Sequence, residues 1–189
     1  DARRVADNWD PAADEAGGQQ CKNYGAASVM RVPGRVRVAW ADDNTLRVET
    51  DAGMQRRLLR HGVARIGGER TWQGQSKAIW QIPEATGRGG GGAMGSGELK
   101  VVTTTMRAGY LRTNGVPYSD SATLTEYFNR HSDYGSEWFT VLSVLNDPVY
   151  LLSRYVTTTH FKREPDGSKW NPRPCETLPP VGPPSRPER

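Results

Sequence analysis

The stretch RVRVAWADDNTLRVETDAGMQRRLLR, residues 35–60, decides the fold. Val36, Val38 and Trp40 alternate with Arg35, Arg37 and Ala39. A period of two is the signature of a strand with one buried face. Asp42, Asp43 and Asn44 make a short polar turn, and Leu46, Val48 and Thr50 then alternate with Arg47 and Glu49. Asp51, Ala52 and Gly53 form a second turn before the run from Met54 to Arg60. Strand, turn, strand, turn, strand is the outline of a β-meander.

The same grammar continues outward. In Trp72–Trp80 (WQGQSKAIW), Ala78 and Trp80 share one face and Gly74 permits a bend or bulge. Leu99–Thr105 is β-branched from Val101 onward and reads as the strongest strand. Arg107–Asp120 is a long connection with Asn114-Gly115 and Pro117. Thr123–Arg130, Glu137–Leu145 and Arg154–Phe161 supply the later strands, with Asp147-Pro148 opening a turn between the last two. Eight or nine strands with short links, and no long helical period, predict an all-β domain with sequential antiparallel pairing. A sheet of that length must close or fold on itself, which gives a lipocalin-like barrel first and a β-sandwich as the alternative. Residues 1–30 read as an extended N-terminal arm, 31–175 as the single β domain, and 176–189 as a Pro-rich disordered tail. Gly87 and Gly89–Gly92 read as a mobile hairpin loop, without the spacing of a phosphate cradle.

Composition narrows the chemistry. The chain has 189 residues and a formal charge of +4, carried by scattered arginines. That is too mild and too dispersed for a nucleic-acid stripe. No apolar run is long enough for a membrane helix. The two cysteines, Cys21 and Cys175, sit in polar, Pro- or Gly-rich segments and make no CxxC. A disulfide tying the two arms together is favoured over a reactive thiol. Closing so long a loop is worth up to about 5 kcal/mol. A disulfide points to a secreted or periplasmic protein. Histidines 61, 131 and 160 have no ligand spacing, so no metal and no cofactor is expected.

Several segments carry a resemblance. They are WQGQSKAIW, GELKVVTTTMRAGYL, NGVPYSDSATLTEYF, VLNDPVY and THFKREPDGSKWNPRPCE. The motif residues are Trp72, Gly74 and Ser76; Gly97, Leu99, Val101 and Thr103; Gly115, Pro117, Ser119 and Asp120; Thr125, Glu126 and Phe128; Asp147 and Pro148. Together they resemble an uncharacterised family of secreted bacterial all-β proteins. The resemblance covers Trp72–Cys175 and implies export and one β domain. It carries no catalytic residues, and the Gly-rich insert departs from its compact hairpin.

Glu126 is the most informative candidate. Leu124, Glu126 and Phe128 share a face, and two apolar neighbours turn that face inward. A buried carboxylate is costly unless paired, and desolvation suits it to acid/base work. The competing reading is an internal ion pair with an arginine. His160 shares a face with Val156 and Thr158, while Tyr155, Thr157, Thr159 and Phe161 take the other. If its own face is internal it meets Glu126; otherwise it is a surface residue. Tyr118 could donate a proton to a substrate. Trp72, Trp80, Trp138 and Tyr110 could line a ligand cavity, against the ordinary role of core packing. The functional expectation is a barrel holding a small organic ligand, with Glu126, His160 and Tyr118 as catalytic candidates for cofactor-independent lyase, isomerase or hydrolase chemistry. The alternatives are a binding or accessory module without turnover and a protein-interaction domain.

Overall fold

A computed structural model describes residues 1–62, 68–81 and 97–177. The Gly-rich stretch at 87–96 and the tail at 178–189 lie outside the described residues. The alternating run gives β1 (Val36–Asp42), β2 (Thr45–Thr50) and β3 (Arg56–His61). Asp42 caps the first turn by accepting from the Asn44 amide at 2.9 Å. Gly53 holds the second turn at φ 74, and a Cβ there would lie 2.2 Å from the Tyr24 ring. Only glycine fits both constraints.

β4 (Gln75–Gln81) and β5 (Glu98–Thr104) follow, then the two-residue pieces β6 (Gly109–Tyr110) and β7 (Pro117–Tyr118). β8 (Thr123–Asp133), β9 (Ser136–Asn146) and β10 (Tyr155–Lys162) complete the set. One eight-stranded sheet has the order β1-β2-β3-β4-β5-β8-β9-β10, and β6 pairs β7 separately.

The sheet curls through 220° into a half-barrel whose edges stay 8 Å apart. The expected closed barrel is therefore corrected to an open one. The topology supplies a reason. Every neighbouring pair in the large sheet is antiparallel except β3 and β4, which run parallel from Leu59↔Ser76 to His61↔Ala78. In a fully antiparallel eight-stranded sheet the two edge strands run oppositely. The parallel step reverses that parity, so β1 and β10 run the same way. Direct closure would need a parallel pair at one interstrand spacing of about 4.8 Å.

The N-terminal region also departs from the expected extended arm. It forms α1 (Ala2–Asp7), α2 (Pro11–Ala16), a 3-10 turn (Gln20–Tyr24) and α3 (Ala26–Val29). Asp10 caps α2 by accepting from the Ala12 amide at 2.9 Å, with Pro11 at the first helical position. Helices this short do not stand alone. α3 fills the concave side of the sheet: Ala26 and Ala27 cluster with Leu124, Leu145 and Met106, and Val29 and Met30 with Val141. Leu46, Val48, Leu59, Ala78, Leu99 and Val101 form the neighbouring cluster. A cavity of the lipocalin kind has no room where α3 lies. Cys21 and Cys175 form the disulfide, Cα atoms 5.2 Å apart, and tie this plug to the chain after β10.

Candidate functional site

The inward alternation of β8 places Leu124, Glu126 and Phe128 as expected, and Glu126 has no solvent exposure. Its partner comes from the other wall. Val48 faces Arg57 across β2–β3, so Arg57 shares the inner face with Leu59. Arg57 reaches across the interior from β3 to β8, past β4 and β5. Its Nη1 donates to Glu126 Oε1 at 3.0 Å and its Nη2 donates to Oε2. Nη2 also donates to Thr103 Oγ1 at 3.3 Å, and Ser76 shares a hydrogen bond with the same hydroxyl at 2.8 Å. This is a forked guanidinium–carboxylate pair, and it occupies both oxygens of Glu126. A carboxylate held that way is not free to take a proton from a substrate.

Tyr118 is fully buried, and its hydroxyl has no hydrogen-bond partner among the described residues. It is pressed between two backbones: a Cβ on Gly25 would lie 2.2 Å from the hydroxyl, and one on Gly109 would lie 2.8 Å from it. Burial pushes its pKa well up, and the nearby Arg57 charge only partly offsets this. His160 is on the outer face, exposed, with Nδ1 bonded to Thr140 Oγ1 at 2.8 Å. It does not meet Glu126. The three residues expected to share a catalytic site are thus a sealed ion pair, a packed phenol and a surface imidazole.

The aromatic candidates separate as well. Tyr110 is buried against Trp9 and donates to Asp14 Oδ2 at 2.8 Å. Burial and that carboxylate raise its pKa. Asp14 also accepts from Trp9 Nε1 at 2.8 Å and from Lys22 Nζ at 2.5 Å. Burial works against its charge, but the three hydrogen bonds win and its pKa is lowered. Trp72 lies under the Arg107 guanidinium at 4.9 Å, and its carbonyl accepts from the Ala26 amide. Trp80 is the next-to-last residue of β4, 48% exposed, beside His61, which also faces Trp40. Trp138 is on the outer face of β9 under Lys162 Nζ at 5.9 Å.

The structure adds one feature that residue-by-residue reading missed. A groove of about 940 Å³ lies where the start of β1 meets the end of β10, and Glu164, Asp166, Gly167, Lys169 and Trp170 of the segment after β10 form part of its lining. Its inner wall is apolar, with Val36, Val38, Phe139 and Phe161. Its rim holds six cationic side chains against three carboxylates, with Arg37 and Lys162 on the outer face and Arg130 and Glu137 in the inward phase of β8 and β9. Arg130 and Arg163 both pair with Glu137, Lys169 pairs with Glu164 at 2.7 Å, and Arg35 lies 3.5 Å from Asp51. Arg37 and Lys162 have no carboxylate partner among the described residues. Arg37 instead covers the Trp170 ring at 4.1 Å. The sequence held only a faint signal of this rim, the alternation of Arg35 and Arg37 on the outer face of β1.

Among the described residues no three His, Cys, Asp or Glu side chains converge as a metal site would require. No described helix is long and apolar enough to cross a membrane. No family model, curated protein or solved structure matches the chain.

Proposed function

We propose that this chain is a secreted, non-catalytic binding module that takes an extended acidic ligand along its open seam. The carrying observation is the pair Arg37 and Lys162, two cations without carboxylate partners among the described residues, flanking an apolar-walled groove of about 940 Å³. Volumes of this order are typical of ligand sites. The disulfide supports export, and membership of the secreted family that residues 72–175 resemble belongs to the same reading. The sealed Glu126 argues against acid/base turnover. The α3 plug argues against a small molecule held deep in the barrel.

The test is a backbone-amide NMR titration with two acidic probes, a sulfated hexasaccharide and an alternating Glu-Val octapeptide with blocked ends. Binding by either probe, with shifts centred on residues 34–38 and 160–163, is the expected result. Shifts centred on Arg57 and Glu126, or no binding by either probe, overturn the reading. So does hydrolysis or isomerisation of a small ester, lactone or ketone that is lost in Glu126→Gln.

A second reading rests on Trp40, His61 and Trp80, whose rings adjoin across β1, β3 and β4 with Trp40 56% and Trp80 48% exposed. Aromatic faces of that kind hold small aromatic or sugar ligands. Loss of such a ligand in Trp40→Ala and Trp80→Ala, with Arg37 and Lys162 intact, would favour it.

A further inference from the structure

Three properties of the seam converge on one occupant. The first is width. Sheet edges 8 Å apart are too far for a direct ladder, yet close to the two spacings of about 4.8 Å that one added strand needs. The second is direction. The parallel β3–β4 step leaves β1 and β10 running the same way, so a single strand running opposite to them is antiparallel to both. That is the better hydrogen-bonding arrangement on each side. The third is face chemistry. Val36, Val38 and Phe161 line the inner side of the seam, while Arg37 and Lys162 stand on the outer side.

We infer that the seam is a strand-acceptor site: an extended peptide of a partner protein, acidic on one face and apolar on the other, inserts between β1 and β10 and closes the half-barrel. This rests on the binding reading above and specifies its ligand. The inserted strand enters beside the Trp40 end of β1 and leaves beside the Tyr155 end of β10. Its acidic side chains lie across from Arg37 and Lys162. Its apolar ones cover Val36, Val38 and Phe161. Main-chain hydrogen bonds to two edges supply the affinity, and the alternating side chains supply the selection. A second copy of this chain does not fit, because its own free edges carry the same cations, and like charges facing across strands repel. The last twelve residues do not fit either. Prolines at 179, 180, 183, 184 and 187 remove the donors that a ladder requires.

The experiment uses the full chain with acetyl-(Glu-Val)₄-amide, two N-methylated versions and the Lys-Val counterpart. In a strand, successive residues turn their N–H groups to opposite edges. Methylating every Glu nitrogen therefore blocks one edge, and methylating every Val nitrogen blocks the other. The expected result is that each methylated peptide loses at least about tenfold in affinity, the size of one or two ladder hydrogen bonds. The Lys-Val peptide should not bind. Arg37→Glu with Lys162→Glu should weaken the parent peptide about tenfold or more, while Lys77→Glu, far along the outer face on β4, leaves binding unchanged. Amides of both β1 and β10 should gain exchange protection in the complex.

Sensitivity to only one of the two methylation patterns means addition to a single edge and overturns the insertion. Binding of the sulfated hexasaccharide but of no peptide also overturns it, and leaves the seam-binding reading standing. Concentration-dependent self-association that vanishes in the Arg37→Glu, Lys162→Glu variant assigns the seam to a second copy and overturns the partner peptide.

Discussion

The concave floor and the seam are built from the same materials and have opposite characters. Each sets guanidinium or ammonium groups beside apolar side chains on alternating strands. On the floor, Arg57 and Glu126 are 1% and 0% exposed and bonded to each other through both terminal guanidinium nitrogens and both carboxylate oxygens. At the seam, Arg37 and Lys162 are exposed and rest on tryptophan rings. On the floor both oxygens of Glu126 are taken, and of the Arg57 nitrogens Nε alone has no hydrogen-bond partner among the described residues. The seam has two unpaired edges and cations with no carboxylate partner among the described residues.

The largest effect should come from breaking the floor. Arg57→Met leaves Glu126 buried without its cation, and the loss of one member of such a pair costs about 3–5 kcal/mol. Urea unfolding of the variant checks this. The double replacement Arg57→Met with Glu126→Leu should recover most of that loss, because a buried pair contributes far less than its halves cost when orphaned. If Arg57→Met unfolds like the parent, the floor is not sealed and Glu126 returns as a candidate base.

How much of this was legible beforehand depends on distance along the chain. The alternation at 123–130 put Glu126 inside, and the composition around Cys21 and Cys175 gave the disulfide. Both inferences use only local pattern. Arg57 was hidden within the basic run Arg56–Arg60, where its inward phase with Leu59 competes with a surface reading. The pairing of residues so far apart follows from curl, which no local period encodes. The parallel β3–β4 step was also invisible, since residues 62–74 look like an ordinary connection. The closed barrel was inferred from strand count, but closure depends on strand direction. α3 was missed for a different reason. Ala26, Ala27 and Ser28 look like arm residues, and their small size is what lets α3 sit against the sheet.

A smaller effect separates two further buried groups by pH. Folding lowers the pKa of Asp14, so it favours the ionised form. Its stabilisation is complete above the unfolded value of 3.8 and is lost as pH falls below it. Folding raises the pKa of Tyr118 above its ordinary 10.0, so the unfolded chain releases that proton first and stability falls as pH rises past about 10. Asp14→Asn should therefore cost about 1 kcal/mol at neutral pH and flatten the acid limb of the stability profile. Tyr118→Phe should make the alkaline limb shallower, leaving the part that Tyr110 contributes because folding raises its pKa too. Because it removes a hydroxyl with no partner among the described residues, it should leave neutral stability unchanged or raise it by up to about 1 kcal/mol. Thermal unfolding from pH 2.5 to 11 measures both. A Tyr118→Phe protein that is much less stable at pH 7 would mean the hydroxyl has a partner, and this interior is less dry than the floor beside it.

The smallest effect belongs to the seam itself, and it is the one that keeps the two regions distinct. Arg37→Gln removes a guanidinium from the Trp170 ring, an exposed contact worth about 0.5–1 kcal/mol. Trp170 lies in the segment that returns from β10 to β2, where the Arg173 amide donates to the Asp51 carbonyl at 2.8 Å. Some of that anchoring should loosen with it. Lys162→Gln removes a weaker contact at the limit of its range, and exposed substitutions of this kind stay within about 0.5 kcal/mol. Urea unfolding of both single variants and of the pair provides the measurement, and the pair should lose no more than about 1.5 kcal/mol. That outcome leaves these cations with little structural reason to stand where they do, which is what a surface kept for a partner requires. A loss of about 3 kcal/mol or more would place the seam in the same class as Arg57 and Glu126. Arg37 and Lys162 would then be structural, and the acidic strand would have lost the charges that select it.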